Sequence, residues 1–238
     1  YDSETSKEYS IDYREKAPAL STRDMYLNDD GSFNDKYLST FGYLSIGVPG
    51  TVAGLWEVHK QFGSLPWSAL IEDAINYAEN GFYMTDYMAD VLYKYNEKMS
   101  YFPETKKIFQ KDYPNFWNKK LFQKDLAKTL RVISLNGRDG FYKGEVAKKI
   151  TDQMQLNGGL IQSADLENYN PVWREPIISS YRNNKIITMG PPSSGGIHII
   201  QMLNILENYD LNELGHNSTD YINLLTEVMK HGYADRSK

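Results

Sequence analysis

Gly47-Val48-Pro49-Gly50-Thr51-Val52-Ala53-Gly54-Leu55 sets residues of special backbone geometry directly ahead of an apolar helix start. Pro49 fixes its own φ, while Gly47, Gly50 and Gly54 permit positive φ or a close backbone approach. Thr51 is placed to cap a helix that runs through Trp56 to about Phe62, with Gly63 closing it. Read alone, this is a tight turn entering a closely packed helix. It gains meaning beside Arg14-Glu15-Lys16-Ala17-Pro18 upstream and Pro191-Pro192-Ser193-Ser194-Gly195-Gly196 downstream.

Upstream, the first forty residues are polar and turn-rich, with Asn28-Asp29-Asp30-Gly31 an evident turn. Downstream the apolar period is helical. Pro66 takes a first helical position, and Leu70, Ile71, Ala74, Ile75 and Ala78 mark one face up to Gly81. Thr85 caps a third helix from Asp86 to about Met99, which stops before Pro103. Residues 101–120, with Pro103, Pro114 and many aromatics, read as an irregular connection. Further helices cover Lys124 to Leu135, closed by Gly137, and Glu145 to Gln155, closed by Gly158-Gly159. Ser163-Ala164-Asp165-Leu166-Glu167 reads as a capped helical turn.

The period then changes. Ile177-Ile178-Ser179-Ser180-Tyr181 and Lys185-Ile186-Ile187-Thr188-Met189 are β-rich runs around Arg182-Asn183-Asn184, a hairpin ended by Pro191-Pro192. Gly195-Gly196 opens a helix to about Leu206, and Ser218 or Thr219 caps a last one toward His231. The predicted class is α+β: mostly helical, with one β-hairpin. A lone hairpin is marginal. Ile177, Ile178, Ile186, Ile187 and Met189 make it apolar on both sides, which predicts burial on both faces and a sheet completed by strands outside this chain. Such a piece, isolated from its sheet partners, is expected to dimerise or pair edges.

Composition narrows the function. At 238 residues, with 41% apolar and 24% charged content, the chain is long enough for a sizeable core and is globular in character. A net charge of -5 gives no reason to expect nucleic acid or an anionic membrane surface as a partner. No apolar run approaches the ~18–20 residues of a membrane span. With no cysteine at all, disulfides, thiolate nucleophiles and cysteine-based metal sites are excluded.

Candidate chemistry is sparse. His59, His198, His216 and His231 fall in no metal-binding spacing and read as helix-surface or cap residues, so no metal site is expected. Ser193-Ser194-Gly195-Gly196 between a strand and a helix admits three readings: a structural loop, an anion or substrate contact, or a nucleophilic serine. The last lacks the Gly-x-Ser-x-Gly elbow. Gly137-Arg138-Asp139-Gly140 and Gly158-Gly159 fit helix ends and turns rather than phosphate loops. Arg14 stands out, because no helical register would set it on a solvated face. A guanidinium forks onto a carboxylate with two parallel hydrogen bonds, which suits an amino-acid α-carboxylate. By residue type alone, a surface arginine is the plainer reading.

Five segments then carry a pattern together: Asp12 through Pro18; Val48 through Leu55; Asp125-Leu126-Ala127 through Thr129-Leu130 to Gly140-Phe141-Tyr142-Lys143-Gly144; Gly158-Gly159-Leu160-Ile161 with Asp165-Leu166-Glu167-Asn168-Tyr169; and Pro191 through Gly196 with Leu203-Asn204-Ile205-Leu206-Glu207. Tyr233-Ala234-Asp235-Arg236 extends it. In this order, from about residue 11 onward, they resemble the large subunit of a γ-glutamyltransferase (γ-glutamyltranspeptidase, glutathione hydrolase) of the N-terminal-nucleophile hydrolase superfamily.

That resemblance implies an autoprocessed zymogen, cut into two subunits, that hydrolyses glutathione and other γ-glutamyl amides or transfers the γ-glutamyl group to an acceptor amino acid or dipeptide. The nucleophile is then the N-terminal threonine of the small subunit, with its own α-amino group as base. Arg14 matches the family arginine that grips the substrate α-carboxylate. The complete heterodimer would be a four-layer αββα sandwich, needing no cofactor, located in the periplasm or secreted. Within it, residues 1–238 would form a partial large subunit: 1–46 the turn-rich segment with the arginine, 47–170 a helical region, 171–192 a sheet hairpin and 193–238 further helices.

None of the threonines, such as Thr51, Thr188 or Thr219, stands in the family's processing motif, so no catalytic residue is expected in this chain and it is expected to be inactive alone. Two alternatives stand beside this reading. One is a related amide acylase of the β-lactam side-chain type, against which Arg14 speaks, since an acyl group without an α-carboxylate needs no such partner. The other is a non-catalytic helical interaction module.

Overall fold

A computed structural model describes residues 1–34 and 38–237. Residues 35–37, inside the turn-rich opening, and residue 238, at the end of the last expected segment, lie outside the described residues. In chain order the elements begin with β1 (Ser10–Asp12), α1 (Thr51–Phe62), α2 (Trp67–Asn80), β2 (Phe82–Tyr83), α3 (Asp86–Lys94), α4 (Asn96–Ser100) and α5 (Pro103–Phe109). There follow β3 (Lys120–Leu121), α6 (Lys124–Asn136), α7 (Asp139–Tyr142), α8 (Gly144–Leu156) and α9 (Ser163–Glu167). The chain ends with β4 (Val172–Arg174), β5 (Ile177–Tyr181), β6 (Asn184–Thr188), α10 (Ser194–Leu206), α11 (Leu211–Leu214) and α12 (Thr219–Arg236). Two compact units result: Tyr13–Asn170, and Tyr1–Asp12 with Pro171–Lys238.

The 13–170 unit is helical. Its principal core gathers Val48, Ala53, Tyr142, Met154, Leu166 and Tyr169, and a second cluster forms around Ala89, Leu92, Phe116 and Leu121. Helices α2 and α6 end as expected on Gly81 and Gly137, both at positive φ, where a β-carbon would be strained. Thr85 caps α3 by accepting from the Met88 N–H at 3.2 Å.

Four local expectations need correction in this unit. Gly50, not Thr51, is the N-cap of α1, and Thr51 is the first helical residue. Pro66 likewise sits at the cap of α2, one residue earlier than expected. The third helix breaks at Tyr95 into α3 and α4, and the Gln110 side-chain amide takes the Asn96 carbonyl just past the break. Residues 101–120 are not wholly irregular: Pro103 starts α5, because a first-turn N–H needs no helical partner and proline loses nothing there. The capped turn expected at Ser163–Glu167 is α9, with Gln162 as its cap in a reciprocal box with Asp165.

In the other unit β1 pairs antiparallel with β4, Ile11 opposite Trp173, and Arg174 grips Asp12 through Nε and Nη2 at 3.0 and 2.8 Å. Lys185 pairs with Glu8. β5 and β6 form the expected hairpin, turning on Arg182 and Asn183, both at positive φ, the geometry of a two-residue turn. The expectation of one hairpin falls short. Among the described residues there are three two-stranded pairs, since β2 also pairs with β3. Burial on both hairpin faces is not found either. Exposure alternates along β5 and β6, and the cross-strand partners Ile178 and Ile187 are 50% and 41% exposed. Alternation follows from the pleat, with α10 lying against β5 and the Ile178 side left exposed.

Candidate functional site

Arg14 has no regular secondary structure, yet its backbone is held at several points. Its carbonyl accepts a hydrogen bond from the Tyr169 hydroxyl at 2.7 Å. Two residues on, Lys16 and Val48 exchange both backbone hydrogen bonds, at 3.2 and 2.8 Å, in an isolated antiparallel bridge. The Lys16 ammonium donates to the Asn170 carbonyl at 2.8 Å and lies 4.9 Å above the Tyr169 ring. The arginine segment is thus strapped to the Gly47–Leu55 stretch on one side and to the chain end of α9 on the other.

The glycines of that stretch earn their place by close approach, not by φ. Gly50 has φ of -113°, and a β-carbon on it would overlap the Tyr169 hydroxyl and the Tyr13 carbonyl oxygen. One on Gly54 would run into the Tyr13 ring. A side chain at the α1 cap is therefore impossible, and the cap comes from elsewhere. The Tyr142 hydroxyl donates to the Pro49 carbonyl at 2.7 Å and accepts from the Ala53 N–H at 3.3 Å, one of the orphan donors of the first helical turn.

Tyr142 and Tyr169 are 0% and 2% exposed, their rings stacked with centroids 5.8 Å apart and planes 11° apart. Burial pushes the Tyr142 phenol above its ordinary range, partly opposed by the Ala53 N–H and the nearby Arg138 charge. Arg138 lies over the Tyr142 ring at 4.8 Å, and its Nη2 donates to the carbonyls of Glu167 and Tyr169 at 2.8 and 2.7 Å. Four of the five segments singled out in the sequence therefore meet around one tyrosine pair. From this rigid floor the Arg14 side chain reaches outward, 59% exposed, with Nη2 3.5 Å from Glu15 Oε1. A guanidinium on an immobilised backbone is suited to receive a carboxylate.

The other candidates fall into local roles. The Ser193 hydroxyl accepts from the Gly195 N–H at 3.3 Å, which makes it the N-cap of α10. His59 lies 2.8 Å from the Leu65 carbonyl and against the Trp56 and Trp67 rings. His198 lies 3.4 Å from Gln201 Oε1, and His216 beside the Tyr221 ring. Among the described residues no group of three His, Asp or Glu side chains is gathered closely enough to hold a metal ion. Tyr142, Tyr169 and Arg138 are the site residues that sequence reasoning passed over. The one available signal was that both tyrosines lie within segments that carried the resemblance.

Comparison with known proteins agrees with this frame. The model of the gamma-glutamyltranspeptidase family matches residues 1–238. A glutathione hydrolase proenzyme of Escherichia coli (strain K12) is 44% identical over 231 residues, 96% of this chain and 40% of its own length. The acylase ACY 1 proenzyme of Pseudomonas sp. (strain V22) is 39% identical over 95% of this chain and 42% of its own length. Among solved structures, the gamma-glutamyltranspeptidase of Helicobacter pylori superposes with a TM-score of 0.93 at 44% identity, over 97% of this chain and 66% of that one. This chain belongs to the gamma-glutamyltranspeptidase family. It spans about two fifths of the length of the curated relatives it matches.

Proposed function

We propose that this chain is part of the large subunit of a γ-glutamyltransferase that hydrolyses glutathione and other γ-glutamyl amides, or passes the acyl group to an amino acid or dipeptide. Arg14 binds the α-carboxylate of the γ-glutamyl group. The nucleophile is a threonine at the start of a small subunit released from the same precursor. Its Oγ attacks the γ-carbonyl carbon while its α-amino group takes the hydroxyl proton; that proton then goes to the departing amine as the C–N bond breaks. Water or an acceptor amine next attacks the ester, restoring the threonine. In the heterodimer the helices and hairpin of this chain flank an αββα sandwich, and the assembled enzyme is exported to the periplasm or beyond.

The single observation that carries this reading is the Arg14 guanidinium, outward-facing on a backbone pinned by the Tyr169 hydroxyl and the Lys16–Val48 bridge. The family match and the proenzyme names of the relatives support the rest. The acylase relative favours one second reading, an amide acylase without need of the carboxylate contact.

The complete gene product distinguishes them when assayed with a γ-glutamyl anilide and with a 4-aminobutyryl anilide, which differs by lacking the carboxylate. A γ-glutamyltransferase cleaves the first far faster, and Arg14→Ala lowers its kcat/KM by about thirty-fold to several thousand-fold, as loss of a charged contact worth ~2–5 kcal/mol requires. Equal cleavage of both, unaffected by Arg14→Ala, supports the acylase. Amine released above background by residues 1–238 alone would overturn the placement of the nucleophile outside this chain.

A further inference from the structure

We infer that Tyr169 is a positioning residue for substrate binding: its hydroxyl, fixed by packing far from Arg14 in sequence, sets the backbone from which the Arg14 guanidinium reaches the carboxylate. This rests on the carboxylate-binding reading of Arg14 above.

Three observations carry it. The hydroxyl donates to the carbonyl of Arg14 itself, at 2.7 Å, across 155 residues of chain. The phenol has no latitude, since its ring is stacked on Tyr142 and its backbone carbonyl is held by Arg138 at 2.7 Å. Gly50 closes against the same hydroxyl so tightly that even a methyl group is excluded. A bond to the Arg14 carbonyl orients the peptide plane that the arginine Cα belongs to. Since a guanidinium must present its fork within a few tenths of an ångström, a small rotation at the root is magnified along the side chain. The Lys16–Val48 bridge fixes the strap two residues on, and the Tyr169 hydroxyl holds the Arg14 peptide plane itself.

The test uses the complete gene product and steady-state kinetics with a γ-glutamyl anilide. Tyr169→Phe keeps the ring and removes only the donor. KM is expected to rise about tenfold, as for one lost hydrogen bond, with kcat changed less than about twofold, the signature of lost binding shared by ground and transition states. On an Arg14→Ala background the same substitution should add less than about twofold, because the residue it positions is gone. 4-Aminophenylalanine at position 169, which keeps a donor in place, should restore KM, and 4-fluorophenylalanine, close to the phenol in size but without a donor, should not. That pair also carries the comparison if the phenylalanine variant fails to fold.

An unchanged KM in Tyr169→Phe, beside a strongly raised one in Arg14→Ala, overturns the positioning role and leaves the carboxylate reading standing. Equal effects of Tyr169→Phe with and without Arg14 also overturn it, as general loosening. An unchanged KM in Arg14→Ala removes the carboxylate reading and this inference with it.

Discussion

Gly50 lies against the Tyr169 hydroxyl with no space for a β-carbon between them. The Tyr13 carbonyl oxygen closes the same gap from the other side. Gly50→Ala must therefore push apart α1, the tyrosine and the arginine segment. Overpacking of a well-fitted site costs about 1–3 kcal/mol. A thermal melt of the chain should show a midpoint lowered by several degrees; an unchanged midpoint would mean the strap yields freely.

Tyr142 replaces a missing cap, so its hydroxyl has a measurable value. In Tyr142→Phe the Pro49 carbonyl and the Ala53 N–H both lose their partner inside the core. Leaving buried groups unsatisfied costs about 1–3 kcal/mol, readable by urea titration. There is a pH signature as well. The folded phenol ionises above the ordinary value of 10.0, so the unfolded chain releases its proton first. The resulting stabilisation is whole below that value and is lost as pH rises through the folded pKa. Wild type should therefore show an extra alkaline decline that Tyr142→Phe lacks; identical slopes would argue against the buried phenol.

The two glycines that open α10 should respond in opposite ways. A β-carbon on Gly195 meets only Ser193 Oγ, at 3.5 Å, whereas one on Gly196 would overlap the Met189 carbonyl and crowd Thr188. Gly195→Ala is expected to be neutral or to stabilise by up to ~1 kcal/mol through reduced backbone entropy. Gly196→Ala should destabilise by about 1–3 kcal/mol. Paired denaturation curves decide the matter, and equal shifts in the two variants would contradict the close packing of α10 on β6.

Much of this was legible from local chemistry. Glycine at positive φ ended α2 and α6 where the sequence put the stops, and Thr85 and Ser218 cap their helices through their own hydroxyls. The misses share a cause. Thr51 looked like a cap because Thr commonly is one, but the acceptor for the Ala53 N–H arrives from Tyr142, 89 residues further on. Pro103 looked like a stop because the first turn of a helix and the end of one are alike in sequence. Strands β1 to β4, of two or three residues, are too short to show a period, and their pairing is a tertiary fact. Arg14 was singled out by type and surroundings; Tyr169, whose hydroxyl holds its carbonyl, was not, because a buried aromatic reads as core. It is core, and holds the arginine backbone from within it.

The exposed partners Ile178 and Ile187 predict association of the isolated chain. They sit directly opposite one another on a two-stranded sheet, with apolar surface facing outward. Such a strand pair is a template for edge pairing. Gel filtration over a concentration series should show a dimer or larger species, reduced by Ile178→Lys with Ile187→Glu. A monomer at every concentration, indifferent to those substitutions, would mean this face is inert.

The 155-residue gap between Arg14 and the hydroxyl that holds it also has a temporal meaning. During synthesis at ~5–20 residues per second, the arginine is joined to the chain roughly eight to thirty seconds before Tyr169 is. For that interval it belongs to an unanchored strand. The clamp closes only when the nascent chain brings its far end back, so a polypeptide that stalls anywhere in between carries Arg14 without the hydroxyl that holds its backbone.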